Sequence, residues 1–536
     1  MQKGPPRSLF KKLIGFAISS RQGPREQDED SSEDPLYYWV AGRHNNHMKT
    51  LLLNPPWSKD GFYGVRAGSR WPHLQPCEND YMPFPFFMAY AAAVLERAEK
   101  PVAVIDACGE RLNEESCLSR IREAAPDLVI IETATPTIDI DLAFAFKIKH
   151  HHPQAVIAFC GPHALIVEPQ FLAKNEQVSF VFRGEYEMIL YDLVLALERG
   201  QDFGHIKGLV YRSSDGKVFD NGPRPLLKEI DSLPWPARHL FPMELYNDRP
   251  GGIPVPSLQM WASRGCPYQC IFCVWPQVMY GGNRYRARNP VDVVDELEFC
   301  LKKWPFKSFY FDDDTFNIGK ERIIRLSREI KARKIGLPWS VMARADLVDR
   351  EILKEMKDAG LVSLKYGMES GVQELIDASG KNLQIEQVEK AVRISKELGI
   401  EVHLTFTFGL PGETRETISR TIQKAIELDP FSVQFSVATP FPGTAYYADL
   451  LKKGHILTDN WEEYSGSTGA VHRTDELGKQ DLDKALQEAY SAWDLHRLVS
   501  RDRWSRLAWQ GILHPRRALL ILYKLAQFRI RQGIPF

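Results

Sequence analysis

The stretch Arg264-Gly-Cys-Pro-Tyr-Gln-Cys-Ile-Phe-Cys sets three cysteines, Cys266, Cys270 and Cys273, on one short loop in a C-x3-C-x2-C spacing. Three thiolates held this close can ligate three irons of a cubane cluster and leave the fourth iron without a protein ligand. A structural zinc site wants a fourth ligand, and an ordinary electron-transfer cluster wants four thiolates. An iron left open is a place to bind and activate a substrate. A zinc knuckle or three packed thiols are the plain alternatives.

The 536 residues suffice for two or three domains with real cores. Lys and Arg number 68 against 69 Asp and Glu, so no global field argues for nucleic acid or an acidic partner. The remaining cysteines (Cys77, Cys108, Cys117, Cys160, Cys300) are scattered, which fits buried thiols rather than a secreted disulfide scaffold. Cluster thiolates need a reducing compartment, and the expected location is the cytosol. No apolar run approaches the roughly 20 residues of a membrane span. Residues 1–47 read as a disordered extension: a short apolar segment from Phe10 to Ile18 precedes the acidic run Arg25–Asp34. Folded structure is expected to begin at Met48, which also offers an alternative initiator.

Over residues 48–215 short apolar runs alternate with amphipathic segments. Strands are expected at Thr50–Asn54, Val102–Asp106, Leu128–Glu132, Val156–Cys160 and Ser179–Phe182, and helices near 84–98, 112–124, 140–151 and 185–199. This alternation predicts an α/β domain with a doubly wound parallel sheet, which binds ligands at the carboxyl ends of its strands. The loops there hold Asn54-Pro-Pro-Trp, Asp106-Ala-Cys-Gly, Glu132-Thr-Ala-Thr135, Gly161-Pro-His and Arg183-Gly-Glu185-Tyr-Glu. No G-x-G-x-x-G occurs, which argues against a dinucleotide.

A connection at 216–250, containing Leu233-Pro-Trp-Pro-Ala-Arg, leads to a second alternation over 251–460. Strands are expected at 257–262, 307–311, 338–343, 362–367, 402–408 and 431–437, with helices at 291–303, 320–333, 350–358, 384–398 and 414–428. About six βα units make a partial (β/α)6 barrel, whose chemistry belongs on the loops following the strands. The cysteine loop follows the first strand. The second ends in Asp312-Asp313-Asp314, carboxylates that must face a cation or donors, or else cap the next helix in solvent. Arg344 follows the third strand, Glu369-Ser370 the fourth and Gly409-Leu-Pro-Gly-Glu the fifth.

The cysteine spacing, with Phe272 before the last cysteine, resembles the signature of the radical S-adenosylmethionine (SAM) enzymes. The domain order, the Asn-Pro-Pro element and Arg-Gly-Glu-x-Glu resemble their cobalamin-binding class, over roughly residues 48–460. The resemblance implies three cofactors: a 4Fe-4S cluster, SAM chelated on its open iron, and cobalamin on the first domain. It implies that an electron from flavodoxin or ferredoxin cleaves SAM to a 5'-deoxyadenosyl radical, which attacks an unactivated carbon of a small-molecule or lipid-like substrate. Methyl transfer is the expected outcome. Cyclisation or ring rearrangement in lipid or tetrapyrrole biosynthesis is the alternative, and a non-catalytic metal-binding scaffold the reading from another class. By the same resemblance one of Asp312, Asp313 and Asp314 meets the SAM amino group, Arg344 its carboxylate, Glu369 and Ser370 its ribose and carboxylate, and the Gly409 loop its adenine. Asn54, Asp106, Thr135, Gly161, Arg183 and Glu185 line the cobalamin edge.

Many cobalamin proteins give cobalt a histidine from D-x-H-x-x-G, whereas here Asp106-Ala-Cys108-Gly-Glu-Arg has a cysteine at that place. No histidine ligand is expected from this loop; His163 is the other candidate, against a locally bonded loop residue. Trp-Pro-Gln after Cys273 and the following Tyr-Arg-x-Arg resemble radical SAM proteins of hopanoid and related lipid biosynthesis. Trp275 is expected to shield the cluster, and Arg284, Arg286 and Arg288 to meet cobalamin side chains, a substrate anion or solvent. Residues 461–536 are expected to be helical. Their basic, Trp-bearing end (Trp504, Trp509, Arg516, Arg517, then Ala518-Leu-Leu-Ile-Leu-Tyr) suits peripheral membrane contact or a lid.

Overall fold

The structure, a computed structural model, describes residues 47–213, 215–465 and 469–499. The acidic extension and the basic tail, with the membrane contact or lid expected of it, lie outside the described residues. Among the described residues no helix is long and apolar enough to cross a membrane.

The first domain is built on β1 (Thr50–Asn54), β5 (Val102–Asp106), β6 (Leu128–Glu132), β7 (Val156–Cys160) and β8 (Phe180–Phe182). β1, β6 and β7 are buried at every position because helices cover both faces of the sheet. All five are parallel, in the order β5-β1-β6-β7-β8. β1 thus lies between neighbours reached by crossovers in opposite directions, the switch point where such sheets form a ligand crevice. Helices α1 (Phe86–Arg97) and α5 (Glu187–Arg199) cover one face, and α2 (Glu114–Ala124) and α3 (Ile138–His151) the other. The sheet continues antiparallel through β9 (Leu209–Arg212) and β10 (Val218–Asp220), past the expected boundary at 215. The residues after it are no free linker, since Arg238 pairs with Glu296 at 3.1 Å and the Tyr246 hydroxyl donates to Asp106 at 2.8 Å.

The strands β2 (Ser58–Lys59), β3 (Phe62–Val65) and β4 (His73–Pro76) form a small antiparallel sheet the sequence did not announce. They are two to four residues long and carry no readable alternation. From the end of β3, Arg66 reaches into the ligand edge. It forms two 2.7 Å bonds to Asp141 and a further one to the carbonyl of Glu132, with both charged side chains almost fully buried.

In the second domain β11 (Ser257–Met260), β14 (Ser308–Phe311), β15 (Trp339–Ala343), β16 (Leu361–Glu369), β17 (Glu401–Phe408) and β18 (Ser432–Val437) form one parallel six-stranded sheet. Its outer helices are α6 (Pro290–Lys303), α7 (Lys320–Ala332), α8 (Arg350–Asp358), α10 (Ile385–Glu397) and α11 (Arg415–Leu428), with the short α9 (Gln373–Ala378) after β16. Six strands leave β18 with a free edge. The helix α13 (Lys479–Val499) covers it: the Tyr490 hydroxyl stands 3.1 Å from both the Phe435 amide and its carbonyl.

The carboxyl ends of the two parallel sheets face each other. Glu185, after β8, takes Arg286 at 2.6 Å and Arg264 at 3.2 Å, and Glu187 takes Arg264 at 2.7 Å. Ile166, after β7, abuts Gly443 beyond β18, so tightly that an added Cβ would stand 2.6 Å from it. Replacing Arg66 by Met should leave Asp141 as an uncompensated buried charge. We expect the first domain to lose about 3–5 kcal/mol in urea denaturation, with the barrel's transition unmoved.

Candidate active site

The cysteine loop is closed at its base by β12 (Ser263–Gly265), which pairs antiparallel with β13 (Tyr285–Ala287). Within it the Gln277 amide nitrogen lies 2.9–3.0 Å from the carbonyls of Cys270, Ile271 and Cys273, while its oxygen accepts from the Ala445 amide at 2.8 Å. Gln277 therefore folds the loop, which explains the Trp-Pro-Gln that follows Cys273. The three thiols are half-buried beside an apolar cluster containing Phe272, Val372, Leu375 and Leu410. Burial raises all three, and the Cys273 thiol also feels Cys270 and Cys266. The Thr315 hydroxyl lies 3.1 Å from Cys266 Sγ and 2.8 Å from the Asp314 carbonyl. Three neighbouring thiols on a loop tied off by β12 and β13 are a ligand set for three irons of a cluster.

Around this loop stand the residues expected to meet SAM. Arg344 stacks on the Tyr268 ring at 3.4 Å, and its guanidinium bonds Asp346 through two contacts of 3.0 Å. Glu369 sits at a break in the β16–β17 register with φ of 68°, a left-handed backbone unusual for a non-glycine residue and a mark of functional strain. Its carboxylate is fixed by Lys381 at 2.5 Å and the Thr407 hydroxyl at 2.7 Å. Ser370 is turned inward to Thr421 at 3.0 Å and accepts from the Val372 amide, so its hydroxyl braces α9 and α11. Gly409 has φ of 82°, and a Cβ there would meet His472 Nε2 at 2.8 Å. Its amide donates to Glu413, and its carbonyl accepts from Tyr446 and, at 3.2 Å, faces His472.

The three aspartates divide their work. Asp313 accepts from the Ala262 amide at 2.8 Å and from Ser263. Asp312 and Asp314 grip Arg70 from the first domain at 2.7 and 3.1 Å, and Asp314 also accepts from the Gly265 amide at 2.9 Å. Arg70 lies 4.9 Å over the Trp275 ring. Sequence reasoning missed Arg70 because it stands in an irregular loop between β3 and β4.

Across the interface, Asp106 accepts from Asn54 at 2.6 Å and from the Gly109 amide at 2.9 Å. Cys108 is buried and donates to the Pro55 carbonyl at 3.2 Å, a packed thiol rather than a free ligand. His163 is bonded to Thr135 at 3.2 Å and meets Trp461 edge-on at 5.5 Å; burial pushes it down to about 4, so it is neutral. Gly161 has φ of 92°, and a Cβ there would stand 2.6 Å from the Thr133 carbonyl. Arg183 is spent within the domain, on the carbonyls of Leu165 and Val167 and on Asp220. Glu185 belongs to the interdomain pairs. Arg286 and Arg288 are internal as well, Arg288 held by Asp292 at 2.6 Å and Glu296 at 2.5 Å, which leaves Arg284 exposed among the three. At the switch point Asn54 Oδ1 and Thr133 Oγ1 are buried without a hydrogen-bond partner, as are Trp275 Nε1 and the Tyr280 hydroxyl in the second domain. Two buried polar atoms left without partners at the ends of the neighbouring strands β1 and β6 fit a ligand rimmed with amides, as a corrinoid is.

The radical SAM superfamily pattern matches residues 262–425, from β12 into α11. The chain is 31% identical over 412 residues to an uncharacterized methyltransferase of Pyrococcus horikoshii, covering 77% of this chain and 88% of the other. It is 27% identical over 448 residues to an anaerobic magnesium-protoporphyrin IX monomethyl ester cyclase of Rubrivivax gelatinosus, covering 81% and 75%. Among solved structures, the radical SAM methyltransferase TsrM of Kitasatospora setae, with cobalamin and a 4Fe-4S cluster bound, superposes with a TM-score of 0.63 at 19% identity over 83% of this chain and 89% of that one. The cobalamin-dependent enzyme OxsB, with aqua-cobalamin and SAM, gives 0.66 at 16% identity over 90% and 75%. The two-domain fold is the one these cobalamin-dependent enzymes share. The chain belongs to the radical SAM superfamily, and it is a radical SAM enzyme.

With a cluster on Cys266, the Thr315 hydroxyl, whose one proton is shared between Cys266 Sγ and the Asp314 carbonyl, would stabilise the more negative, reduced state. Thr315→Val should lower the cluster's midpoint potential by about 40 mV, the equivalent of about 1 kcal/mol for one electron. Redox titration followed by electron paramagnetic resonance checks this.

Proposed function

We propose that the protein is a cobalamin-dependent radical SAM methyltransferase acting on an unactivated carbon of a small molecule. The observation that carries the reading is the apposition of two ligand-binding strand edges across one cysteine loop. Cluster, SAM and cobalamin, when bound, supply the radical and the transferable methyl group.

The protein's own part is to hold and exclude. Cys266, Cys270 and Cys273 would hold three irons. Arg344, Glu369 and the Gly409 loop would take the SAM carboxylate, ribose and adenine, and the carboxylates at the end of β14 its amino group. Arg70 offsets one of the two charges on Asp312 and Asp314, so a SAM ammonium arriving there would meet the one left over. Ser370 contributes by bracing the helices behind Glu369. On the cobalamin side Asn54, Asp106, Thr135 and Gly161 form the crevice wall, and Arg183 and Glu185 fix its shape. The buried Trp275 and Trp261 shut the space between the edges to water.

The similarity to curated methyltransferases, including a cytidylyl-2-hydroxyethylphosphonate methyltransferase of Streptomyces wedmorensis at 25% identity over 76% of this chain, supports methyl transfer. The similarity to the Rubrivivax cyclase supports a second reading, radical cyclisation. The electron would come from a flavodoxin- or ferredoxin-like donor in the cytosol.

Anaerobically reconstituted enzyme given SAM, methylcobalamin, a low-potential reductant and its acceptor should form S-adenosylhomocysteine and 5'-deoxyadenosine together. Deoxyadenosine without S-adenosylhomocysteine would select the cyclase reading, and the absence of both would overturn each.

A further inference from the structure

Below the cysteine loop the barrel encloses a cup with a polar wall. Leu364, Tyr366, Val402 and Leu404 pack outward into the core, so the alternate positions Lys365, His403 and Thr405 point inward. Parallel register sets Met342 beside Lys365, Lys365 beside His403, and His403 beside Ser432. The turn at Pro250–Gly252 forms the floor, fixed by a 3.1 Å bond from the Ser363 hydroxyl to the Pro250 carbonyl, and Asp248 lies just ahead of it.

Two charged groups in this cup make no direct ion pair among the described residues. Lys365 is half-buried, makes no ion pair within 4.0 Å among the described residues, and donates only to the neutral amide of Gln434 at 3.3 Å. Asp248 also makes no ion pair; burial and the charge of Asp312 push it up to about 7, which weakens its hold on Lys365. Elsewhere the protein pairs the cations it buries: Arg66 with Asp141, Arg264 with Glu187, Arg288 with Glu296 and Lys381 with Glu369. Burial pulls the Lys365 ammonium below its ordinary range, with Asp248, Asp312 and Glu369 acting on it only from a distance, and an incoming anion in direct contact relieves that cost. His403, which burial and Lys365 push down to about 3, is neutral and adds a hydrogen-bonding group beside the ammonium.

We propose that this cup is the substrate pocket and that it takes a small polar molecule bearing a carboxylate or phosphate, with Lys365 as the anchor for that oxyanion. The inference rests on the SAM-cleaving reading of the mouth above it, and it replaces a lipid-like substrate by a charged one. Met342 is the one apolar side chain on that rung.

Ligand-observed NMR on the reconstituted holoenzyme tests this with butyrate, methylphosphonate and, as the uncharged match, 1-butanol. One of the two anions should bind wild type, weaken about tenfold or more in Lys365→Met and stay within about threefold in Lys365→Arg. Asp248→Asn, which leaves the anchor in place, should tighten the same anion, so the test survives a misfolded Lys365 variant. Whichever anion behaves so identifies the oxyanion. Equal anion affinity in wild type, Lys365→Met and Asp248→Asn, or 1-butanol binding as tightly as butyrate, overturns the proposal. Failure of the SAM reading shows separately, as wild-type enzyme that forms no deoxyadenosine.

Discussion

Two carboxylates and two guanidiniums, withdrawn from water between the domains, fix everything else in this molecule. Glu185 and Glu187 leave the last parallel strand of the first sheet, and Arg264 and Arg286 form the base of the cysteine loop. Arg264 is further enclosed by aromatic faces, lying 4.5 Å over Tyr90 and 5.1 Å over Phe87. Burying such charges is expensive unless every partner is in place, so the geometry tolerates one arrangement far better than its neighbours. That arrangement brings the cysteine loop against the ligand edge of the other domain. A hydrophobic interface of the same area could slide; this one is keyed.

Arg70 extends the same logic one step further. Three consecutive carboxylates at the end of β14 would repel each other, yet Asp313 is absorbed by backbone and hydroxyl donors, and Asp312 and Asp314 share one cation delivered from the first domain. The barrel's acidic strand end is therefore completed only when the domains are docked. Burial of Arg70 against Trp275 ties that completion to the loop bearing Cys273.

The alternation of strands and helices was legible because parallel strands are short apolar runs covered on both faces: β1, β5, β6 and β7 fall where the runs predict them. The strands β2 to β4, β12 and β13 were not legible, since a pair two to four residues long leaves no periodic trace. The cysteine loop was legible as chemistry, while the tasks of its neighbours were not. The Arg-Gly-Glu-x-Glu element stood out in the sequence, but that Arg183 braces a loop depends on a partner 18 residues away, and that Glu185 and Glu187 latch a domain depends on partners some 80 to 100 residues away. Arg286 and Arg288 looked like free cations because their carboxylates lie on other elements or a helical turn further on.

A division of labour follows from which polar groups are satisfied. Around the cysteine loop the residues that fold it or are expected to meet the cofactors are held in place: Gln277 by four backbone groups, Glu369 by Lys381 and Thr407, Arg344 by Asp346 and Tyr268. Such a shell is preorganised and has little freedom to adapt, which suits cofactors of fixed shape. In the cup beneath, Lys365 and Asp248 make no direct ion pair among the described residues and His403 is neutral and partly open. Groups left unpaired in a folded protein are unsatisfied until a ligand arrives, and they reject any ligand that cannot satisfy them. The chemistry is thus built into the part that is locked, and the choice of acceptor into the few charges the fold leaves open.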